Sequence, residues 1–438
     1  MPLKIGMVSL GCSKNLVDSE VMLGMLRDGG MQIVSDAAQA DVIIVNTCGF
    51  IDSAKQESID TILEMAELKK TGKLKKLLVT GCLVQRYLKE LKEQLPEVDG
   101  FMGVSEYARL TEVINEMLSG ERPACVSQGQ RFLKQKRALI TPSFSAYVKI
   151  SDGCDNRCTY CAIPLIRGRY VSRPYADIVN ECKALAEEGV SEITLIAQDT
   201  SRYGSDFEGG QLLLTRLMHE ISMIEGVHWL RVLYCYPDTV NEELLTEIRD
   251  NPKICKYLDL PLQHIDDELL KRMNRRGTSA QIEQLLSKCR QYGITTRTTM
   301  IVGFPGETQA QFEKLLSFVK RARFDRLGAF TYSPEENTPA ASMPDQIDEE
   351  TKTRRLDQLM LLQQAISLEK NEERIGSVCE VLVEGFEDGA YTARSMAESP
   401  ESDGVIRLTA AKPLTPGQYI KAKITGCDAY DLSAEAVE

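Results

Sequence analysis

No apolar run in the 438 residues approaches the roughly 18 to 20 needed to cross a bilayer, and stretches such as 42–45 are soon cut off by polar side chains. A membrane-spanning helix is therefore not expected. The opening residues 1–12 are shorter than the roughly 15 to 30 of a secretory peptide, so the chain is expected to stay in the cytoplasm. Histidine is scarce: His219, His228 and His264 are the full set, and none lies near a pair of cysteines. Mixed Cys/His zinc sites are then hard to build. Positive charge is also in deficit, with 52 Lys and Arg against 64 Asp and Glu and a formal net charge of −12. That balance argues against a large nucleic-acid surface.

Cysteine, by contrast, is abundant, with 13 residues. A reducing compartment keeps thiols free, so metal or redox chemistry is a better expectation than a disulfide framework. With 43% hydrophobic and 26% charged residues, the chain can fill the cores of two or three ordinary domains.

The expected fold class is α/β in three pieces. Residues 1–125 alternate short apolar strands (4–10, 41–46, 75–80) with amphipathic helices (16–28, 53–70, 111–118), the pattern of an open parallel sheet. Residues 126–143 are a linker with a basic run at 131–137. Residues 144–374 continue the alternation, with strands expected at 146–150, 192–197, 229–234, 257–260, 295–301 and 327–331. Six strand–helix units fit a partial (β/α)6 barrel better than a complete eightfold one, and a charged helix is expected at 349–374. Residues 375–438 change character: short runs at 378–383, 391–395, 405–408 and 419–424, separated by Gly and Pro, predict a small all-β barrel or sandwich.

The most informative segment is Asp152-Gly-Cys154-Asp-Asn-Arg-Cys158-Thr-Tyr-Cys161, a C-x3-C-x2-C triplet after the first strand of the second piece. Three thiolates hold three irons of a [4Fe–4S] cluster, and no fourth cysteine is nearby to complete it. An iron without a protein thiolate is open to an outside ligand, as in catalytic metal sites. A second set emerges from the alternation itself. The predicted strands near 4–10, 41–46 and 75–80 are followed by Cys12, Cys48 and Cys82, at intervals of 36 and 34 residues. Each interval suits one strand–helix–strand crossover, and ligands of open parallel sheets sit at the strands' carboxyl ends. The two sets can instead be buried thiols, or zinc sites that only hold domains together. Cys125, Cys182, Cys235, Cys255, Cys289, Cys379 and Cys427 show no such placement and read as structural. Gln198 and Gln263, at predicted strand ends, are candidates to position a ligand. Arg167, Arg169 and Arg173 could bind carboxylates, or be solvated on a helix face.

The C-x3-C-x2-C spacing resembles the signature of the radical S-adenosylmethionine (SAM) superfamily. By that resemblance the open iron chelates the methionine end of SAM, and an electron from the cluster splits the sulfonium to give a radical that takes hydrogen from an unactivated carbon. Tyr160 then occupies the aromatic position beside the adenine. The two cysteine sets followed by a β-rich tail resemble the methylthiotransferase branch, whose tail is called a TRAM domain. Segments 9–20, 163–173, 260–264 and 303–307 fall in the order of that family's motifs. The resemblance implies two [4Fe–4S] clusters held by Cys154, Cys158, Cys161 and by Cys12, Cys48, Cys82. It also implies conversion of carbon–hydrogen to carbon–S–CH3, an electron donor such as flavodoxin or ferredoxin, and a sulfur source.

Two subfamilies differ in substrate: one modifies a tRNA adenosine, the other, the RimO type, an aspartate of small-subunit ribosomal protein twelve. Segment 9–20, Ser-Leu-Gly-Cys-Ser-Lys-Asn-Leu-Val-Asp-Ser-Glu, is similar to the RimO form; the tRNA form typically reads Tyr-Gly-Cys-Gln-Met-Asn. From 371 to 438 there are thirteen acidic and six basic residues. An acidic tail suits a basic protein partner better than phosphates. The expected function is thus methylthio transfer to the β-carbon of that aspartate; the rivals are a tRNA methylthiotransferase and a non-enzymatic, metal-stabilised binding protein.

Overall fold

The computed structural model describes residues 2–127, 132–133 and 136–437, so the basic run expected at 131–137 falls partly outside the described residues. Strands β1 Lys4–Ser9, β2 Gln32–Ile33, β3 Val42–Thr47, β4 Lys76–Gly81, β5 Gly100–Met102 and β6 Ala124–Cys125 form one parallel sheet. Its order is β2-β1-β3-β4-β5-β6. Helices α1 Ser13–Asp28, α2 Asp52–Thr71, α3 Cys82–Gln94 and α4 Leu110–Leu118 cover both faces. β3 is buried along its whole length, as a strand between two helical layers must be. Its side chains alternate: Val42 and Ile44 pack with Met22 and Leu26 of α1 and Val113 of α4, while Ile43 and Val45 pack with Ile62 of α2 and Leu83 of α3.

The middle of the chain contains the six expected parallel strands. β7 Ser145–Lys149 leads into the short antiparallel pair β8 Ser151–Asp152 and β9 Val171–Ser172, which frames the cysteine loop and α5 Ile163–Arg167. Then follow α6 Tyr175–Glu187, β10 Glu192–Ile196, α7 Leu214–Ser222, β11 Trp229–Val232, α8 Glu242–Asp250 and β12 Tyr257–Gln263. After these come α9 Asp267–Arg272, α10 Ser279–Gln291, β13 Thr295–Val302, α11 Gln309–Ala322, β14 Arg326–Thr331 and α12 Glu349–Glu372. Hydrogen-bonded triplets β11-β10-β7 and β12-β13-β14 meet through the Leu230–Ile254 bridge, giving an open (β/α)6 wall. Capping boxes at Thr278 and Thr308 fix the starts of α10 and α11.

The tail closes into a five-stranded barrel of β15 Val378–Glu387, β16 Ala390–Ser395, β17 Ile406–Thr409, β18 Tyr419–Cys427 and β19 Leu432–Ala436. β19 was not expected. Its sequence, Leu-Ser-Ala-Glu-Ala, has little β-branched or aromatic content, and it is a strand because it fills the gap between β17 and β18. The tail barrel docks on the strand starts of the (β/α)6 wall. Arg394 Nη2 donates to Glu192 Oε2 (2.6 Å), Tyr257 Oη donates to Asp403 Oδ2 (2.7 Å), and Leu382 packs with Trp229. One end of the wall is thus covered by the tail, and the carboxyl ends of its strands face the amino-terminal sheet.

Candidate active site between the two cysteine sets

Cys12, Cys48 and Cys82 each follow the carboxyl end of a strand, and those strands, β1, β3 and β4, are neighbours. A Cβ placed on Gly11 would lie 2.8 Å from Cys48 Cβ and 3.1 Å from its Sγ, so the Cys12 and Cys48 turns are in contact. Gly11 has φ +87°, where any other residue is strained. Asn15, fully buried in the first turn of α1, ties the loops together. Its Nδ2 donates to Leu10 O (3.1 Å) and Thr47 O (2.9 Å), and its Oδ1 lies 3.5 Å from Cys82 Sγ. Cys12 is exposed, Cys48 half-buried and Cys82 buried. Burial pushes the thiols of Cys48 and Cys82 up, Cys82 to about 12 although Arg167 pulls the other way. Such sulfurs keep their proton at neutral pH unless a metal replaces it.

Cys154, Cys158 and Cys161 line one cavity of ≈340 Å³, together with Pro164, Gly168 and the 337–339 loop. Gly153 has φ +74°, and a Cβ there would strike Arg169 O at 2.1 Å, so the loop approaches its own return strand closely. Burial raises Cys154 to about 11 and Cys161 further. Among the described residues no three Cys, His, Asp or Glu side chains stand close enough to share a single metal ion. Three cysteines on one cavity wall are the donor type that four-iron clusters use.

The two sets are linked through Arg167, at the end of the helix that follows Cys161. Its side chain is 2% exposed. Nη2 donates to Asn15 Oδ1 (2.7 Å) and lies 3.6 Å from Cys82 Sγ, while Nη1 meets Asp18 (2.8 Å) and Asp152 (3.1 Å). Lys149 pairs with the same two carboxylates. Burial opposes ionisation of Asp152, yet Arg167 and Lys149 hold it well below the usual carboxylate range. Arg173 is likewise bound to Glu181, and the exposed Arg169 to Asp155 at 3.1 Å. The arginines read as possible carboxylate ligands therefore bind the chain's own carboxylates: Asp18 on α1, Glu181 on α6, and Asp152 and Asp155 at the cysteine loop.

The remaining candidates are placed as follows. Gln198, after β10, donates through Nε2 to Asp152 Oδ1 (3.1 Å), and its buried Oε1 has no hydrogen-bond partner among the described residues. Gln263 ends β12 with φ +73°, at a register irregularity against β13. Tyr160 packs against the Phe304 and Tyr332 cluster, and burial together with Cys158 raises its hydroxyl well above the usual phenol range. Sequence reasoning missed Arg275. It is buried, its Nη1 lies 3.9 Å from Cys158 Sγ, and it stacks 4.1 Å from the Tyr236 ring centroid. In sequence it is one of two adjacent arginines after a helix, indistinguishable from solvated charge. Of the cysteines read as structural, Cys182, Cys235, Cys255 and Cys289 are buried, while Cys125, Cys379 and Cys427 are half-buried.

Comparison with known proteins matches the Radical SAM superfamily over residues 148–319, a TRAM domain over 375–437, and the uncharacterized protein family UPF0004 over 4–103. A ribosomal protein uS12 methylthiotransferase RimO of Desulforamulus reducens is 49% identical over 99% of both chains. That of Clostridioides difficile is 46% identical, again over 99% of both. Among solved structures, the radical S-adenosylmethionine methyltransferase TsrM of Kitasatospora setae, with tryptophan and a SAM analog, superposes with a TM-score of 0.58. The match covers 78% of this chain and 75% of that one at 17% identity, so the likeness is one of fold. Similarity of this extent to the curated relatives means that the chain belongs to the RimO family of radical SAM methylthiotransferases.

Proposed function

We propose that this protein transfers a methylthio group to the β-carbon of an aspartate of ribosomal protein uS12. Its cofactors are SAM and two [4Fe–4S] clusters. We assign one cluster to Cys154, Cys158 and Cys161 and the other to Cys12, Cys48 and Cys82, with Tyr160, Gln198 and Gln263 beside SAM. When bound, these groups supply one-electron chemistry at an unactivated C–H bond, together with sulfur and a methyl group.

The observation that carries this reading is the Arg167 bridge, which joins the helix after Cys161 to Asn15 and Cys82. It supports two sites joined across the contact of the sheet with the barrel wall, as a reaction with separate hydrogen-removing and sulfur-delivering centres requires. The chain's own residues hold that contact. Asn15 fixes the three strand-end loops, and Asp18, Asp152, Arg167 and Lys149 lock the sheet to the cysteine loop. Arg275 and Tyr236 wall Cys158, and the tail closes the opposite end of the barrel wall.

The domain division 1–125, 144–374 and 375–438, with a linker at 126–143, is part of this proposal. So are a low-potential reductant of the flavodoxin or ferredoxin class and a sulfur source. None of the thirteen cysteines forms a disulfide, which suits the reducing cytoplasm where we place the protein. No helix among the described residues is long and apolar enough to cross a membrane. The test is anaerobic reconstitution followed by mass spectrometry of uS12 and tRNA. Iron for two clusters and a methylthio mass increment on uS12 are expected. An increment confined to tRNA, or a colourless zinc protein without turnover, would overturn the proposal.

A further inference from the structure

The turn of α1 just after Cys12 carries a cation with no hydrogen-bonded or ion-paired anion among the described residues. Lys14 is 7% exposed, and among the described residues its ammonium forms neither a hydrogen bond nor an ion pair. It sits 2.9 Å from the centroid of the Tyr234 ring. Tyr234 lies two residues past β11, on the side of the barrel wall that faces the amino-terminal sheet, and has φ +63°. Its hydroxyl is 3.5 Å from Ser13 Oγ, so the Cys12 turn rests directly on it. The carboxylate of Asp259, buried in the wall, is within its electrostatic reach. Asp259 instead accepts from Tyr234 N (3.0 Å) and faces Arg297 at 3.8 Å.

Burying an ammonium against a ring face without an anion is costly, and a ligand that brings the anion recovers that cost. The proposed reaction, on which this inference rests, acts on an aspartate whose carboxylate is bonded directly to the reacting carbon. A compact ammonium two residues from Cys12 is placed to hold that carboxylate. We propose that Lys14 binds the side-chain carboxylate of the target aspartate and presents its β-carbon between the two cysteine sets, with Tyr234 fixing the ammonium.

The test compares binding of purified uS12, carrying either the target aspartate or asparagine in its place, to the reconstituted holoenzyme and to its Lys14→Gln, Lys14→Met and Lys14→Arg variants. The wild type is expected to prefer the aspartate form by at least tenfold. Lys14→Gln and Lys14→Met should abolish that preference by weakening only the aspartate form, and Lys14→Arg should retain part of it. Equal weakening of both forms would overturn the inference, and so would an intact preference with a lowered melting temperature; either result would make Lys14 a structural counter-charge for Asp259. With the unaltered enzyme, equal binding of the aspartate and asparagine forms would overturn the inference even where a Lys14 variant folds poorly. If the wild type modifies uS12 yet shows no preference, only this inference fails; if it neither binds nor modifies uS12, the substrate assignment fails with it.

Discussion

The two cysteine sets reach similar donor groups by opposite routes. Cys154, Cys158 and Cys161 lie within one eight-residue loop, pinned by Gly153 and by Cys154 N donating to Gly168 O (3.2 Å). Cys12, Cys48 and Cys82 are assembled from three strands and span 71 residues of sequence, counted inclusively, held by Asn15 and by a guanidinium from another domain. A contiguous loop carries its geometry with it. An assembled set depends on sheet register and domain docking, so it should be the more sensitive of the two to changes in its surroundings.

The largest expected contrast comes from the cysteines themselves. Cys154→Ala should abolish SAM cleavage, whereas Cys82→Ala should leave cleavage measurable and remove the methylthio product; loss of both activities in both variants would erase the distinction. Next is Arg167→Gln, which leaves Asp18 and Asp152 buried with one cation fewer, at a cost of about 3–5 kcal/mol in thermal or urea unfolding. Iron should be lost first from the amino-terminal set, which iron analysis after reconstitution of Arg167→Gln in a Cys154→Ala background would measure. Arg169→Gln, which breaks an exposed pair with Asp155, should leave the unfolding midpoint close to that of the wild type.

A smaller effect is expected from the glycines that precede each set. Gly11→Ala and Gly153→Ala both impose positive φ on alanine, a strain of roughly 1–3 kcal/mol. Gly11→Ala should lower iron at the assembled set, and Gly153→Ala at the loop. The smallest effect is that of acid. Because Asp152 is held below its ordinary range, its ion pairs stabilise the fold above the unfolded value of about 3.9 and are lost progressively as pH falls below it. Melting temperatures of the metal-free protein between about pH 5 and 3 should fall more steeply than those of Asp152→Asn.

Much of this was legible without coordinates. Apolar alternation located six barrel strands, and crossover length predicted that Cys12, Cys48 and Cys82 would end neighbouring strands. Short elements escaped: β2 and β6 have two residues each, too few for any period, and β19 is a strand only because its neighbours require one. Arg167, Arg169 and Arg173 read alike in sequence, yet Arg167 is buried among two carboxylates and Asn15 while Arg169 is 79% exposed.

What the sequence determined alone was whatever depends on neighbours along the chain: helix and strand periods, glycines before cysteines, and the spacing of three thiols in one loop. Tertiary structure decided which charges meet across domains. Asp18 against Lys149, Arg167 against Cys82 and Lys14 against Tyr234 are set by docking, and a long side chain's partner depends on what the fold brings within a few ångströms of its tip.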